Sequence, residues 1–184
     1  MKHVVIERTV EVPEGITASL TPIRGGYQVN IKGPKGELTR AFERLRVHMD
    51  LLNEKTFHIQ SHFGSKAEAS MVGTITGHLK NMIKGVTEGF TYQVQVITSH
   101  FPATVEAQKD VIAIKNLYGR RDPILVPFDP SVNVSIKGDL ITLTGANIEK
   151  VSQTAARLAE STRLRGRRSK DPTVFQDGLY VVYP

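Results

Sequence analysis

Two stretches of the chain place apolar residues at the three- and four-residue steps that line one face of an α-helix, and both avoid proline. The apolar stripes are Val72, Ile75, Leu79 and Met82 within residues 65–85, and Ile148, Val151, Ala155 and Leu158 within residues 146–161. Each stripe is most simply a helix face that packs against a sheet. We therefore predict one helix in each half of the chain.

Most of the remaining chain alternates apolar and polar residues, which is the pattern of a half-buried β-strand. The clearest run is FTYQVQVI, in which Phe90, Tyr92, Val94 and Val96 alternate with polar residues. Turn signals rich in glycine and proline separate these runs. Because an antiparallel sheet commonly buries only one face, the alternation predicts antiparallel sheets with a helix on the buried side.

The order of the predicted elements occurs twice along the chain. VPEGITASL leads through a turn to YQVNIKG in the first half, and VPFDPSVNVSI leads through a turn to DLITLTG in the second. The second copy then enters its helix almost at once, whereas residues 37–64 intervene in the first copy, and we interpret them as an inserted hairpin. The sequence thus predicts an α+β fold of two tandem duplicated domains, 1–88 and 89–184, each an antiparallel sheet covered by one helix.

The charge balance favours a polyanionic partner, because 24 basic residues outnumber 18 acidic ones and the isoelectric point is about 9.6. The chain has no cysteine, which excludes a disulfide framework, a thiol nucleophile and a cysteine zinc site. The amino-terminal residues lack the apolar core of a signal peptide, and no apolar run is long enough for a membrane helix. We expect a soluble intracellular protein without a membrane partner.

The segment RLRGRRSK, directly after the second helical stripe, concentrates positive charge without any carboxylate. Its five cations are Arg163, Arg165, Arg167, Arg168 and Lys170. The helix macrodipole favours cations in a last helical turn and Gly166 could help to end the helix, which accounts for the first two arginines at most. The other three lie beyond such a helix, where like charges in a loop only repel one another. We therefore predict that this run contacts phosphates, which arginine binds through two parallel hydrogen bonds.

Candidate chemistry beyond charge is scarce. His58 and His62 form the one close histidine pair, but four residues along a strand place them about 13 Å apart, too far to share a metal. The sequence contains no GxSxG, GxxxxGK[ST] or HExxH motif, and its acidic residues form no convincing pair. We predict no catalytic residue, no metal site, no cofactor and no small-molecule substrate.

The tetrapeptide GPKG at residues 33–36 has two interpretations. It fits the GxxG form with which KH domains clamp a nucleic-acid backbone, but in that module the motif joins two helices. Here it lies between two predicted strands, so we favour a hairpin turn in which the glycines supply unusual backbone angles. Lys35 is exposed in either case and is a candidate for phosphate contact.

Four segments in order along almost the whole chain resemble one known family. They are KGPKGEL, HLKNMIKGVTEGF, GANIEKVSQTAARLAE and DPTVFQDGLYV, and they are similar to the large-subunit ribosomal protein called L-six in bacteria and L-nine in the eukaryotic cytosol. The HFP at residues 100–102 and the VFQDGLYV ending resemble the archaeal and eukaryotic branch.

The resemblance implies a cytoplasmic, ribosome-bound, non-enzymatic protein of two duplicated domains that binds large-subunit ribosomal RNA near the sarcin–ricin loop. Its partners would include neighbouring ribosomal proteins at the stalk base, where translational GTPases dock. In this family the second domain makes the main RNA contacts, through the loop after its helix, which corresponds here to residues 163–176. In the first domain, Lys80 and Lys84 are further candidates for RNA contact, while Met82 and Phe90 are expected in the core.

Two alternatives stand beside this interpretation. A free-standing regulatory RNA-binding protein would share the basic run without permanent assembly into a ribosome. An enzyme or small-molecule-binding domain would carry the basic run incidentally and would need a deep polar pocket with convergent titratable groups.

Overall fold

The computed structural model describes residues 5–43, 46–52, 55–62, 64–164, 171 and 173–182. The chain divides into two compact units, Met1–Gly89 and Phe90–Pro184, each with a hydrophobic core of its own. Neither helix of the described chain combines the length and the apolar content that crossing a membrane requires.

The described residues of the first unit form six strands followed by one helix. They are β1 (Val5–Glu11), β2 (Thr17–Ile23), β3 (Gly26–Gly33), β4 (Gly36–Glu43), β5 (His48–Leu52), β6 (Thr56–His62) and α1 (Lys66–Thr87). The strands form two antiparallel sheets, in the orders β1-β6-β5 and β2-β3-β4. Helix α1 packs against strands of both sheets, and its apolar face closes a core that includes the fully buried Phe57, Ile31 and Leu79.

Helix α1 begins where its sequence supplies a capping box. The Ser65 hydroxyl accepts a hydrogen bond from the Ala67 N–H, and the Glu68 carboxylate accepts one from the Ser65 N–H at 2.7 Å. The predicted stripe is buried, from Val72 to Met82. Phe90, also expected in the core, is only partly buried.

The second unit repeats this arrangement and adds one strand. Its elements are β7 (Phe90–Ile97), β8 (Thr104–Ala107), β9 (Val111–Lys115), β10 (Ile124–Pro127), β11 (Asn133–Lys137), β12 (Leu140–Gly145), α2 (Ile148–Thr162) and β13 (Gly178–Val182). The sheets are antiparallel, in the orders β8-β9-β10 and β11-β12-β7-β13. Helix α2, capped by the Asn147 side chain, packs on β7, β12 and β13 and contacts β10, and Val151, Ala155 and Leu158 are buried in a second core.

The two units share one topology, which confirms the predicted α+β class but corrects how the copies correspond. The β1-β6-β5 sheet matches β7-β12-β11, and the β2-β3-β4 sheet matches β8-β9-β10, with the helix after the sixth strand in each copy. Each unit thus has two antiparallel sheets instead of one. The proposed inserted hairpin at residues 37–64 is wrong, because β4, β5 and β6 have counterparts in β10, β11 and β12.

The segments YQVNIKG and DLITLTG were matched wrongly because both end in a glycine, Gly33 or Gly145. Each of these glycines lies where a helix packs closely on the end of a strand. A Cβ atom on Gly33, at the end of β3, would lie 2.9 Å from the Val86 side chain of α1. A Cβ atom on Gly145, at the end of β12, would lie 2.8 Å from the Val151 side chain of α2. Both positions require glycine because a helix approaches a strand end closely. The β2–β3 and β11–β12 hairpins, which do not correspond in the two units, therefore both end in a glycine.

Candidate nucleic-acid interface

Arg163 is the residue at which α2 gives way to the basic run. Helix α2 ends at Thr162, and Arg163 is its C-cap, with an exposed side chain and an N–H that donates to the Glu160 carbonyl at 3.2 Å. Helix α2 thus ends four residues before Gly166 and its last turn holds no basic residue, so the interpretation of Arg163 as a cation in a last helical turn is wrong. The other predicted cations of the run, Arg165, Arg167, Arg168 and Lys170, lie outside the described residues.

Tyr118 ties together the two ends of the segment that contains this run. Its hydroxyl shares its one proton between the main-chain carbonyl oxygens of Thr162, at 2.5 Å, and Asp177, at 3.0 Å. The Thr162 hydroxyl in turn accepts a hydrogen bond from the Leu179 N–H at 3.1 Å. The end of α2 and the start of β13 are therefore joined through side chains.

A tight turn with unusual backbone angles brings Tyr118 to this position. Asn116, Tyr118 and Gly119 have φ values of 57°, 58° and 69°, a region that bulky residues seldom adopt. The Asn116 side chain donates to the Pro102 carbonyl at 2.9 Å, which holds the turn against the neighbouring loop. Burial, followed by the nearby Tyr180 and Asp177, raises the pKa of Tyr118, so its hydroxyl keeps its proton and remains a donor at neutral pH.

Asp177 is the buried charge of this region. One carboxylate oxygen accepts the Ser99 N–H, and the carboxylate also accepts the His100 N–H at 3.1 Å and faces the His100 Nδ1 at 3.2 Å. Burial by itself raises the pKa of Asp177, but the hydrogen bonds from Ser99 and His100 outweigh it and hold the pKa below its ordinary value. The carboxylate is therefore ionised at neutral pH and fixes the 99–100 loop against the start of β13.

Aromatic stacking completes the group. The His100 ring stacks on Phe175 with centroids 4.8 Å apart and 17° between planes, and Phe175 lies 5.7 Å from the Tyr118 ring. We call Tyr118, Thr162, Asp177, His100 and Phe175 the stem cluster, because they hold both ends of the segment that carries the basic run.

The residues directly before Phe175 of the stem cluster are also held by hydrogen bonds. The Asp171 carboxylate accepts the Thr173 N–H at 2.9 Å and its hydroxyl at 2.7 Å, and these bonds lower the pKa of Asp171. The Phe175 N–H donates to the Asp171 carbonyl at 2.8 Å. A compact turn therefore comes after the basic run and delivers Phe175 to the stem cluster.

Charge counting alone missed most of the stem cluster. Tyr118 lies 44 residues before Thr162, and His100 lies 77 residues before Asp177, so no local pattern joins them. The signal that could have found it is Asp177, the one charged residue in the ending VFQDGLYV, because a buried carboxylate requires partners.

In the first unit, GPKG is a hairpin turn between β3 and β4, with Gly33 paired to Gly36 across it. This confirms the hairpin interpretation over the KH-type clamp, and Gly36 has φ 138°, which a residue with a side chain seldom adopts. Lys35 is exposed at the tip, but its N–H donates to the Val86 carbonyl at 3.0 Å and its ammonium donates to the Glu88 carbonyl. A phosphate at Lys35 would compete with this bond to the end of α1.

Lys80 and Lys84 lie on the last two turns of α1, four residues apart and so on one side of the helix. Both are exposed and line a shallow groove beside β1, together with Thr9, Val10 and Glu11.

His58 and His62 are both on β6, and the described part of the chain contains no group of three or more histidine, aspartate and glutamate residues that could hold a metal ion.

Comparison with known proteins gives one answer. A family model described as Ribosomal protein L6 matches residues 12–89, which cover most of the first unit. Proteins named large ribosomal subunit protein uL6 are similar over nearly the whole chain. Those of Methanobrevibacter smithii and Aeropyrum pernix are 40% and 38% identical over 177 residues, which cover 96% of this chain and 95% and 93% of the relatives. That of Ignicoccus hospitalis is 35% identical over 185 residues, covering 98% of this chain and 95% of the relative. At this identity and coverage, the chain belongs to the ribosomal protein L6 family.

Proposed function

We propose that this chain is a non-catalytic structural component of the large ribosomal subunit and binds large-subunit ribosomal RNA mainly through its second unit. The observation that carries the proposal is the stem cluster. It fixes both ends of residues 163–176, a segment whose sequence holds five cations, and Arg163 at its start is exposed. Family membership and the names of the relatives supply the ribosomal context.

The mechanism is neutralisation of phosphates in folded RNA. Phosphate contacts supply most of the affinity and fix orientation, and arginine suits them because its guanidinium binds two oxygens at once. The run contains no aromatic residue, so stacking on single-stranded bases contributes less than contact with the backbone of structured RNA. Fixed ends lower the entropy that the segment loses on binding.

The RNA site of this proposal lies near the sarcin–ricin loop, beside the stalk base and the region where translational GTPases dock. This placement rests on the family resemblance of the second unit. Neighbouring ribosomal proteins at the stalk base are the expected protein partners, and the cytoplasmic ribosome is the expected location. In the first unit, Lys35, Lys80 and Lys84 are secondary candidates for RNA contact.

The test measures binding of the full-length chain to an archaeal large-subunit ribosomal RNA fragment that contains the sarcin–ricin stem-loop. If each of the five cations neutralises one phosphate, affinity falls roughly 500-fold between 50 and 200 mM salt, taking the duplex value as a guide. The triple variant Arg165→Ala, Arg167→Ala, Arg168→Ala is expected to flatten this dependence while circular dichroism remains unchanged.

The matched control is the charge-retaining triple replacement of the same arginines by lysine, which keeps the salt dependence but loses paired hydrogen bonds. An unchanged salt slope in the alanine variant would contradict the assignment of the run. Ribosomal assembly is tested separately, by sedimentation of the native protein with large subunits through high salt. Release into the soluble fraction would instead support a free-standing RNA-binding protein.

A further inference from the structure

Strand β1 of the first unit has an edge whose counterpart in the second unit is occupied. Strand β1 pairs with β6 as β7 pairs with β12. The Val12 N–H donates to the carbonyl of Lys55, directly before β6, and the Val96 N–H donates to the carbonyl of Asp139, directly before β12, both at 2.8 Å. Val12 therefore corresponds to Val96. On its other side β7 pairs with β13, whereas among the described residues no strand pairs with the other side of β1, which we call the open edge.

The main chain of β1 presents hydrogen-bonding groups at this open edge. Residues of an antiparallel strand alternate between those whose N–H and C=O groups face the paired strand and those whose groups point away from it. Because Val12 faces β6, the main-chain groups of Glu7, Thr9 and Glu11 point towards the open edge. Strand β13 pairs with the equivalent positions of β7.

The groove between β1 and α1 lies beside the open edge. It is lined by the buried Val10 and Ile83 and bordered by Lys80 of the helix. In the second unit β13 lies beside β7 and packs on α2, and its Leu179 is part of the second core. The first unit thus offers both the main-chain groups and the space that an added strand requires.

The charges of β1 determine which strand fits. Glu7 and Glu11 are exposed on one face of the strand, and Arg8 is exposed on the other. Glu11 forms no ion pair within the described part of the chain, and the Glu7 carboxylate lies 3.6 Å from the His58 Nε2. Opposite charges directly across two strands stabilise the pairing, and like charges weaken it. The open edge therefore favours cations opposite Glu7 and Glu11 and a carboxylate opposite Arg8.

These charges disfavour a second copy of the chain as the occupant. Full antiparallel overlap of β1 with β1 of another copy would place Arg8 opposite Arg8. A register shifted by two residues in either direction would place a glutamate opposite a glutamate. RNA is also unsuited to the open edge, because its phosphates would meet the carboxylates of Glu7 and Glu11.

We propose that the open edge of β1 binds an extended segment of another protein as an added antiparallel strand, with basic residues opposite Glu7 and Glu11 and an apolar residue opposite Val10. Main-chain hydrogen bonds supply the affinity of such an added strand, and its alternating side chains supply the specificity. The inference goes beyond RNA binding and uses no cation of the basic run. Only the identification of the partner as a neighbouring ribosomal protein rests on the proposed function.

The first experiment titrates the full-length chain with the synthetic peptide Gly-Leu-Lys-Val-Thr-Glu-Lys, whose two lysines lie opposite Glu11 and Glu7 in the antiparallel register. The amide NMR signals of Glu7, Thr9 and Glu11 are expected to shift at millimolar peptide. A second peptide with proline in place of threonine lacks the N–H opposite Thr9 and is expected to leave these signals unchanged. Equal effects of the two peptides, or no shift with the first, overturn the added strand.

The second experiment tests the charges and the register together. Glu11→Lys is expected to bind the first peptide several-fold more weakly. It is expected to bind Gly-Leu-Glu-Val-Thr-Glu-Lys, in which a glutamate lies opposite residue 11, several-fold more tightly than the parent chain does. The control is Glu43→Lys, at the exposed end of the edge strand β4 in the other sheet, which should leave both affinities unchanged. Identical peptide preferences of Glu11→Lys and Glu43→Lys overturn the assigned register.

The third experiment identifies the natural occupant by placing a photo-crosslinking amino acid at Thr9 of the chain in large ribosomal subunits. The expected product is a crosslink to a protein segment that carries lysine or arginine at two positions four residues apart. A crosslink to RNA or to a second copy of the chain overturns the proposal. If the chain does not sediment with large subunits, the proposed function fails, while the two peptide experiments still decide whether the open edge binds a strand.

Discussion

At the scale of single residues, Asp177 shows how a buried charge can hold two loops together. Isolated burial would push this carboxyl group towards its neutral form. The N–H groups of Ser99 and His100, together with the His100 ring, reverse that tendency and favour the carboxylate. The group therefore stabilises the folded chain only while it is ionised.

Replacement of Asp177 by asparagine is expected to lower the free energy of unfolding by about 1–3 kcal/mol at neutral pH, because the amide keeps one acceptor oxygen but loses the charge that strengthens these hydrogen bonds, and its NH2 group replaces the oxygen that faces the His100 ring. The folded pKa lies below the unfolded value of 3.8, so the stabilisation is complete above that pH and is lost as pH falls through the folded pKa. Urea denaturation from pH 7 to pH 2 should therefore show the difference between parent and Asp177→Asn shrinking below about pH 3.8.

Asp110→Asn is the control for this series, because Asp110 is exposed on the turn before β9. It is expected to match the parent chain at neutral pH. A constant difference between the parent and Asp177→Asn across the whole pH range would show that the carboxylate charge plays no part.

At the scale of elements, the fit between α1 and the end of β3 depends on the absence of one methyl group. Gly33→Ala would bring a Cβ atom to 2.9 Å from both the side chain and the carbonyl oxygen of Val86. Because neither the helix backbone nor a packed valine can move freely, we expect a loss of about 1–3 kcal/mol in urea denaturation.

Gly73→Ala provides the matched control within α1. An added Cβ atom there meets nothing within 4 Å, and alanine is favoured over glycine inside a helix by about 1 kcal/mol. The two substitutions add the same group but should change stability in opposite directions. Equal stability of both variants would show that the close approach at Gly33 costs nothing.

Elements were predictable from the sequence to the extent that their signals are local. Periodicity indicated both helices, and alternation indicated FTYQVQVI as β7 with its observed ends. The correspondence between the two copies was not local. Gly33 and Gly145 are alike because each faces a helix, which only the folded packing reveals. For the same reason the run at 163–170 was visible as charge, whereas its anchor at Tyr118 was not.

At the scale of the whole molecule, the two copies of one fold differ in the segment that continues from the helix. Helix α1 leads through Glu88 and Gly89 directly into β7 of the next unit, whereas α2 leads into residues 163–177 and then into β13, which pairs with β7. The second unit thus has an additional edge strand, β13, beside β7, and the sequence that connects α2 to this strand contains the cations. Duplication supplied the scaffold, and an extension at one helix end supplied the proposed RNA contact.

This asymmetry predicts that the fragment 90–184 carries most of the RNA affinity. Each unit has its own buried core, so both fragments, 1–89 and 90–184, are expected to fold cooperatively when measured by circular dichroism and thermal melting.

On the same RNA, the five cations of the run predict that the slope of log affinity against log salt is about −4.5 or steeper for fragment 90–184. Lys35, Lys80 and Lys84 predict no more than about −2.7 for fragment 1–89. A steeper slope for fragment 1–89 would move the main RNA contact to the first unit and contradict the role given to the run.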